Sequence, residues 1–206
     1  MIHKLGVIAI FALVATGNGC GLIPSFKAGP TSSADRGRLD RTLKFNPANV
    51  HAQFSEGRAA LESGEPKEAI EHFRKAIALQ PDFEEAYYGI GIAQLDLKQY
   101  GAASKSFDAM IAKFPQSVSA HEGAATAALA AGKMDDAEKH AKAALALDEN
   151  SAKAHRILGE TAYARANYSE AIKEWKSARE IDPAMAGNVD PEISDLGEYL
   201  GKYHKK

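Results

Sequence analysis

Cysteine is nearly absent from this 206-residue sequence: Cys20 is the only one. A single thiol closes no disulfide within the chain and builds no thiolate metal site. Long apolar runs are missing as well, and none reaches the roughly 18 residues expected of a membrane-spanning helix. Neither sign of charge is in excess, with 25 Lys and Arg against 27 Asp and Glu and a formal net charge of -2. That balance argues against a nucleic-acid binder, which carries a clear basic excess on one face. The motifs G-x-x-x-x-G-K-[ST], H-E-x-x-H and G-x-S-x-G do not occur. "GIGIA" at Gly89 lies within a helical pattern with no strand before it, so it is not a dinucleotide loop. The chain is therefore expected to be no enzyme, with no cofactor and no small-molecule substrate.

The N-terminus does hold one short apolar run. Lys4, with His3, supplies a charged start, and Leu5 to Ala15 is apolar apart from Gly6. As a helix that run spans about 16 Å, short of a hydrocarbon core about 30 Å thick. Small residues follow it, as in an export signal, so residues 1–19 are read as a signal peptide. Cys20 then follows Gly19, an arrangement that resembles the lipobox of bacterial lipoproteins, although Gly17 and Asn18 depart from the usual pattern. The resemblance implies lipid attachment at Cys20. With Gly21 rather than Asp after it, sorting to the periplasmic face of the outer membrane is implied too. Several acyl chains anchor stably, whereas one binds only marginally. The alternative is an ordinary exported protein cut after Gly17, where Ala15 and Gly17 have the spacing of small residues at such a site. Residues 20–45, rich in Gly, Ser and Pro, read as a flexible tether.

Beyond the tether the sequence repeats itself. Ala69, Ala103, Ala137 and Ala171 stand 34 apart, as do Gly57, Gly91, Ala125 and Gly159. The same spacing links Phe73, Phe107, Ala141 and Trp175, and again Ala76, Met110, Ala144 and Ala178. Pro47, Pro81, Pro115 and Pro183 keep the register, with Glu149 where one proline is missing. In "EEAYYGIGIAQLDLKQYGAASKSFDAMIAKFP" the pattern predicts one helix over Glu84–Leu97, a turn at Lys98–Tyr100, and a second helix to Phe114. Glycine inside a helix costs about 1 kcal/mol, so its recurrence points to close packing against the next helix. The third unit, with Ala125, Ala141 and Glu149, buries less area and is expected to be the softest.

A period of 34 with these small, aromatic and proline positions resembles the tetratricopeptide repeat. The resemblance covers residues 50–183. It implies an all-α solenoid of four helix-turn-helix repeats (about 50–83, 84–117, 118–151 and 152–185) within an array spanning 46–188. In 189–206, Asp190 and Pro191 suit a helix start, and Ile193, Leu196, Leu200 and Tyr203 recur at helical spacing. This helix is read as a cap over the last apolar face, or else as a partner-binding helix.

The family also implies a concave face lined by four positions of each first helix. These are His51, Phe54, Arg58 and Leu61; Glu85, Tyr88, Ile92 and Leu95; Ser119, Glu122, Thr126 and Leu129; Lys153, Arg156, Glu160 and Tyr163. Phe54 and Tyr88 make the N-terminal half apolar, with packing as the competing role, and Glu122 and Arg156 make the C-terminal half charged. Lys153 and Arg156 resemble the basic residues of co-chaperone repeats that grip a C-terminal carboxylate. Arg58 and Gly89 replace the asparagines of that clamp, so the activity is not carried over. His121 and His155 occupy equivalent places in neighbouring repeats, and His72 and His140 do so two repeats apart. They are expected to be packed or solvated rather than metal ligands. The function expected is a protein-binding scaffold, a lipoprotein helping to assemble an envelope complex such as a pilus or secretion system. The alternative is a soluble periplasmic chaperone for extended peptides.

Overall fold

Four successive stretches each carry the signals that start, turn and restart a helix, 34 residues apart. The computed structural model describes residues 49–185 and Leu196. The signal segment, Cys20, the tether and the rest of the C-terminal helix expected from the sequence lie outside the described residues. Among those described there are eight α-helices and no strand. They pair as α1 Val50–Glu62 with α2 Pro66–Leu79, α3 Glu84–Asp96 with α4 Tyr100–Lys113, α5 Val118–Ala130 with α6 Met134–Leu147, and α7 Ala152–Ala164 with α8 Tyr168–Ile181. A 3-10 turn, Pro183–Met185, follows. No helix among the described residues is long and apolar enough to cross a membrane.

Local chemistry sets the ends. Asn49, Ser117 and Ser151 cap α1, α5 and α7, each side chain accepting a backbone N–H three residues on, from Ala52, Ala120 and Ala154. Phe83 cannot cap α3; Glu84 and Glu85 in its first turn oppose the helix dipole instead. Each first helix ends in the same left-handed turn. Gly64, Lys98, Gly132 and Ala166, again 34 apart, have φ of 75°, 57°, 74° and 60°. The next N–H in each case reaches back across the turn, from Glu65 to Ala60 O and from Asn167 to Ala162 O, for example. The second helices stop at one register whether or not proline follows. Where Glu149 replaces it, Asn150 N donates to Asp148 Oδ1 at 3.0 Å, the same turn that Ala184 N and Asp182 Oδ1 make around Pro183.

The helices form two compact units divided between Pro115 and Gln116. In the first, α1 packs on α2, α2 on α3, and α3 on α4, with α1 also touching α3. Phe73 is its centre, fully buried between two glycines. A Cβ at Gly57 or at Gly89 would stand 2.6 Å from the Phe73 ring, so only hydrogen fits on either side. Gly91 serves Phe107 in the same way, with 2.4 Å to Cζ.

The second unit, α5 to α8, repeats the helix contacts but changes the wedge. In the last repeat Gly159 clears Trp175, whose nearest ring atom would lie 2.3 Å from an added Cβ. In the third, Ala125 faces no aromatic register because Ala141 stands there, and both are fully buried. The missing volume returns from the following helix. Ile157, also fully buried, occupies the register that Gly89 holds opposite Phe73, and it joins Ala125, Ala137, Ala141 and Ala144 in one core. The third repeat, expected to be the softest, is thus filled from its neighbour. Leu196 packs with Ala162 and Tyr163 against Ala171 and Trp175.

Candidate peptide-binding face

The first helices of neighbouring repeats lie side by side within each unit, α1 against α3 and α5 against α7, so the positions predicted to line a binding face share one side. What those side chains contact differs between the two units. In the first unit the aromatic positions are engaged in packing. Phe54 is half-buried, its ring centre 5.7 Å from Phe73 and 5.0 Å from Phe83. Tyr88 is buried against Phe107 at 5.8 Å, and Ile92 is buried with Leu95 nearby in sequence. Of this set His51 and Glu85 are exposed, His51 standing edge-on to Phe83 at 5.7 Å. Arg58 reaches Glu62 at 3.9 Å, one helical turn on. Phe54 and Tyr88 thus take the packing contacts, Phe54 keeping part of its ring accessible, and the exposed chemistry here is an imidazole and a carboxylate.

In the second unit the charged positions converge and pair. Ser151 Oγ, besides capping α7, donates to Glu122 Oε1 at 2.6 Å and ties α7 to α5. Thr126 Oγ1 donates to the backbone oxygen of Glu122 at 2.7 Å. Arg156 pairs with Glu160 along α7. Lys153 is buried, and that burial lowers its pKa to about 8, against the raising pull of Glu122 and with Arg156 adding to the fall. Burial likewise raises the Glu160 carboxyl, opposed by Arg156. Tyr163 is half-buried beside Trp175 at 5.7 Å and Tyr168 at 5.5 Å. Ser119 is exposed and Leu129 half-buried. The result is a compact polar cluster held between two first helices, with matched donors and acceptors. Charge in such a low-dielectric setting is costly to leave unpaired, so the cluster holds its own arrangement firmly.

Sequence spacing missed Ser151. Its place just before a helix marks it as a cap, but its second bond to Glu122, 29 residues away, follows only from the packing of α7 on α5. The partners of the histidines were not legible from the spacing either. The structure does not set His121 against His155 or His72 against His140; it pairs within a repeat, across the two helices. His72 Nδ1 meets Gln53 Oε1 at 3.0 Å, and His155 Nδ1 meets Glu174 Oε2 at 2.6 Å. His121 and His140 fill the same register in the third repeat, with ring centres 5.9 Å apart.

Four overlapping windows of the chain, 36–84, 54–118, 88–152 and 122–186, match the family model for the tetratricopeptide repeat. The chain belongs to the tetratricopeptide repeat family, whose members are scaffolds for protein–protein interaction and bind protein or peptide partners on this face. Three solved structures illustrate the likeness. The crystal structure of MamA is 24% identical with a TM-score of 0.61, the match covering 75% of this chain and 94% of that one. TTC0263, a thermophilic TPR protein in Thermus thermophilus, is 21% identical over 79% and 92% of the chains, with a TM-score of 0.66. YrrB, described as a TPR protein with an unusual peptide-binding site, is 19% identical over 77% and 86%, with a TM-score of 0.59. At these identities the likeness is one of fold. No curated protein matches the sequence.

Proposed function

We propose that this protein is a non-enzymatic scaffold, anchored by lipid at Cys20 to the periplasmic face of the outer membrane, where it helps to assemble an envelope complex such as a pilus or secretion system. The observation that carries this reading is the layout of the sequence. An apolar leader ends at the only cysteine, a Gly- and Pro-rich tether of about 25 residues follows, and then come four repeats of an interaction family. An extended tether of that length reaches at most about 85 Å, enough to hold a binding array clear of a membrane surface. The polar cluster of Glu122, Lys153, Arg156 and Glu160 supports a partner that brings its own charged or hydrogen-bonding groups. The exposed pair His51 and Glu85 gives the first unit a polar contact surface as well.

The experiment is an intact-mass measurement on the mature protein extracted from cells with detergent, followed by photo-crosslinking from Glu85 and Ser119, two of the exposed members of the face. A chain beginning at Cys20 with added acyl mass, crosslinked to components of an envelope complex, is the expected result. An unmodified chain beginning at Asn18 refutes the anchor. It favours the second reading, a soluble periplasmic chaperone for extended peptides, which the small residues Ala15 and Gly17 also fit. A peptide-binding site is described for YrrB, and under this second reading the same face would hold client segments.

A further inference from the structure

One register recurs through the array, joining the fourth residue of each first helix to a residue on the second helix of the same repeat. Its occupants are Gln53 and His72, Tyr87 and Ser106, His121 and His140, His155 and Glu174. In the first and last repeats a direct side-chain bond closes it, at 3.0 and 2.6 Å. In the second, both members turn to other acceptors: Tyr87 Oη donates to Pro81 O at 3.0 Å and Ser106 Oγ to Gln94 Oε1 at 2.7 Å. The third repeat carries a histidine at both places. Two imidazoles lie close together across α5 and α6, ring centres 5.9 Å apart and planes inclined by 35°. His121 Nδ1 is buried with no hydrogen-bond partner, whereas buried nitrogens in folded proteins are as a rule satisfied.

We propose that His121 and His140 form a binding site for a divalent transition-metal ion of the kind that favours imidazole nitrogen, such as zinc. Two imidazoles on one zinc, each at a Zn–N distance of about 2.0–2.1 Å, place their ring centres roughly 4.5–6.5 Å apart. The observed separation falls in that range. A metal lone-pair bond would also answer the buried nitrogen that nothing in the repeat answers. Both rings are only partly buried, so a rotation of the His121 ring, without unfolding of the helices, brings its buried Nδ1 within reach of an ion. Among the described residues no group of three His, Cys, Asp or Glu side chains gathers to complete a cage. The site is therefore open, with water or a partner's donor in its remaining positions. The preference is for nitrogen-loving ions over calcium or magnesium, which require oxygen ligands. Because the two ligands come from the two helices of one repeat, the ion would staple α5 to α6.

Zinc is titrated by calorimetry into the full chain with Cys20 blocked by alkylation, since a free thiolate would bind the ion itself. One saturable equivalent is expected. His121→Gln and His140→Gln should each weaken it by at least about 100-fold, the upper end of what loss of a mere supporting group costs, while His72→Gln should leave it unchanged. Should either variant fail to fold without zinc, the unmodified chain decides. Zinc must then perturb the imidazole NMR signals of His121 and His140 ahead of those of the other five histidines. Binding weaker than about 1 mM, affinity unaltered in both His121→Gln and His140→Gln, or perturbation confined to other histidines would each overturn the proposal.

Discussion

Replacing Gly91 by alanine tests whether the aromatic sockets organise this fold. The new Cβ would lie 2.4, 2.6 and 2.8 Å from Phe107 Cζ, Cε1 and Cε2, inside van der Waals contact with three ring carbons. Phe107 is fully buried and has no free space to withdraw into. Overpacking of this kind costs about 1–3 kcal/mol or more, partly offset by the gain of about 1 kcal/mol when alanine replaces glycine in a helix. A net loss of up to about 2 kcal/mol is expected from Gly91→Ala alone. Phe107→Ala alone should cost about 3–5 kcal/mol through its cavity. The double variant recreates the Ala125 and Ala141 pair of the third repeat. With the ring gone, the methyl fills part of the cavity and keeps its helical advantage, so Gly91→Ala should now stabilise by about 1 kcal/mol. Urea midpoints followed by helical circular dichroism on the four chains give the cycle, with the slope monitored because repeat arrays can melt in parts. If Gly91→Ala costs the same with Phe or Ala at 107, the socket is not what the glycine serves, and the reasoning fails.

Three further results are expected. Ala166→Gly should stabilise by about 1 kcal/mol, because Ala166 pays the left-handed cost that Gly64 and Gly132 avoid at the same turn; a neutral or destabilised melt would contradict this. Ser151→Ala removes both the α7 cap and the bond to Glu122 and should lower stability by about 1.5–3 kcal/mol, against about 1 kcal/mol for the cap of Ser117→Ala; equal losses would show that the Glu122 bond is worth nothing. Lys153→Met should stabilise by a few kcal/mol at pH 7, since a lysine held at about 8 is disfavoured when charged. In the wild-type chain the unfolded state then binds more protons between about pH 8 and 10.5, so this handicap shrinks as pH rises through that window. The advantage of Lys153→Met, measured by thermal melts, should shrink with it, and a difference independent of pH would refute the assignment.

Period and socket were legible in the sequence because they are enforced locally. A glycine or alanine 16 residues before each aromatic or small position, and an alanine 12 after that glycine, recur in the primary structure whatever the helices touch later. The helices begin at 50, 84, 118 and 152, in step with the 34-residue spacing. The end of α3 at Asp96 and the start of α4 at Tyr100 fall within one residue of the limits expected, since the turn between them is closed by backbone bonds rather than by any signature residue. Lys98, with a left-handed φ of 57°, gave no warning of itself, for lysine is not a residue that usually marks such a turn. The binding face was less legible. Phe54 and Tyr88 occupy family positions that face the groove, yet large rings at these sites fold back on Phe73 and Phe107, and sequence position alone cannot tell an anchor for a partner from a wedge in the core. The histidine pairs escaped for a related reason: equivalence between repeats suggests neighbours, but contact is decided by the two helices within one repeat.

The exchange of bulk between Ala141 and Ile157 has a consequence for how such an array could be rearranged. Phe73 needs the glycine that follows it at position 89, whereas Ala141 needs the isoleucine that follows it at 157. The junction inside each unit is therefore keyed, a lock cut on one repeat and its matching bit on the next. Moving the last repeat to follow the first would drive Ile157 into the ring of Phe73, and moving the second to follow the third would set Gly89 against Ala141 and leave a void. The four repeats share a period but are no longer interchangeable modules, and the order of the pair within each unit is written into the side-chain volumes at its seam.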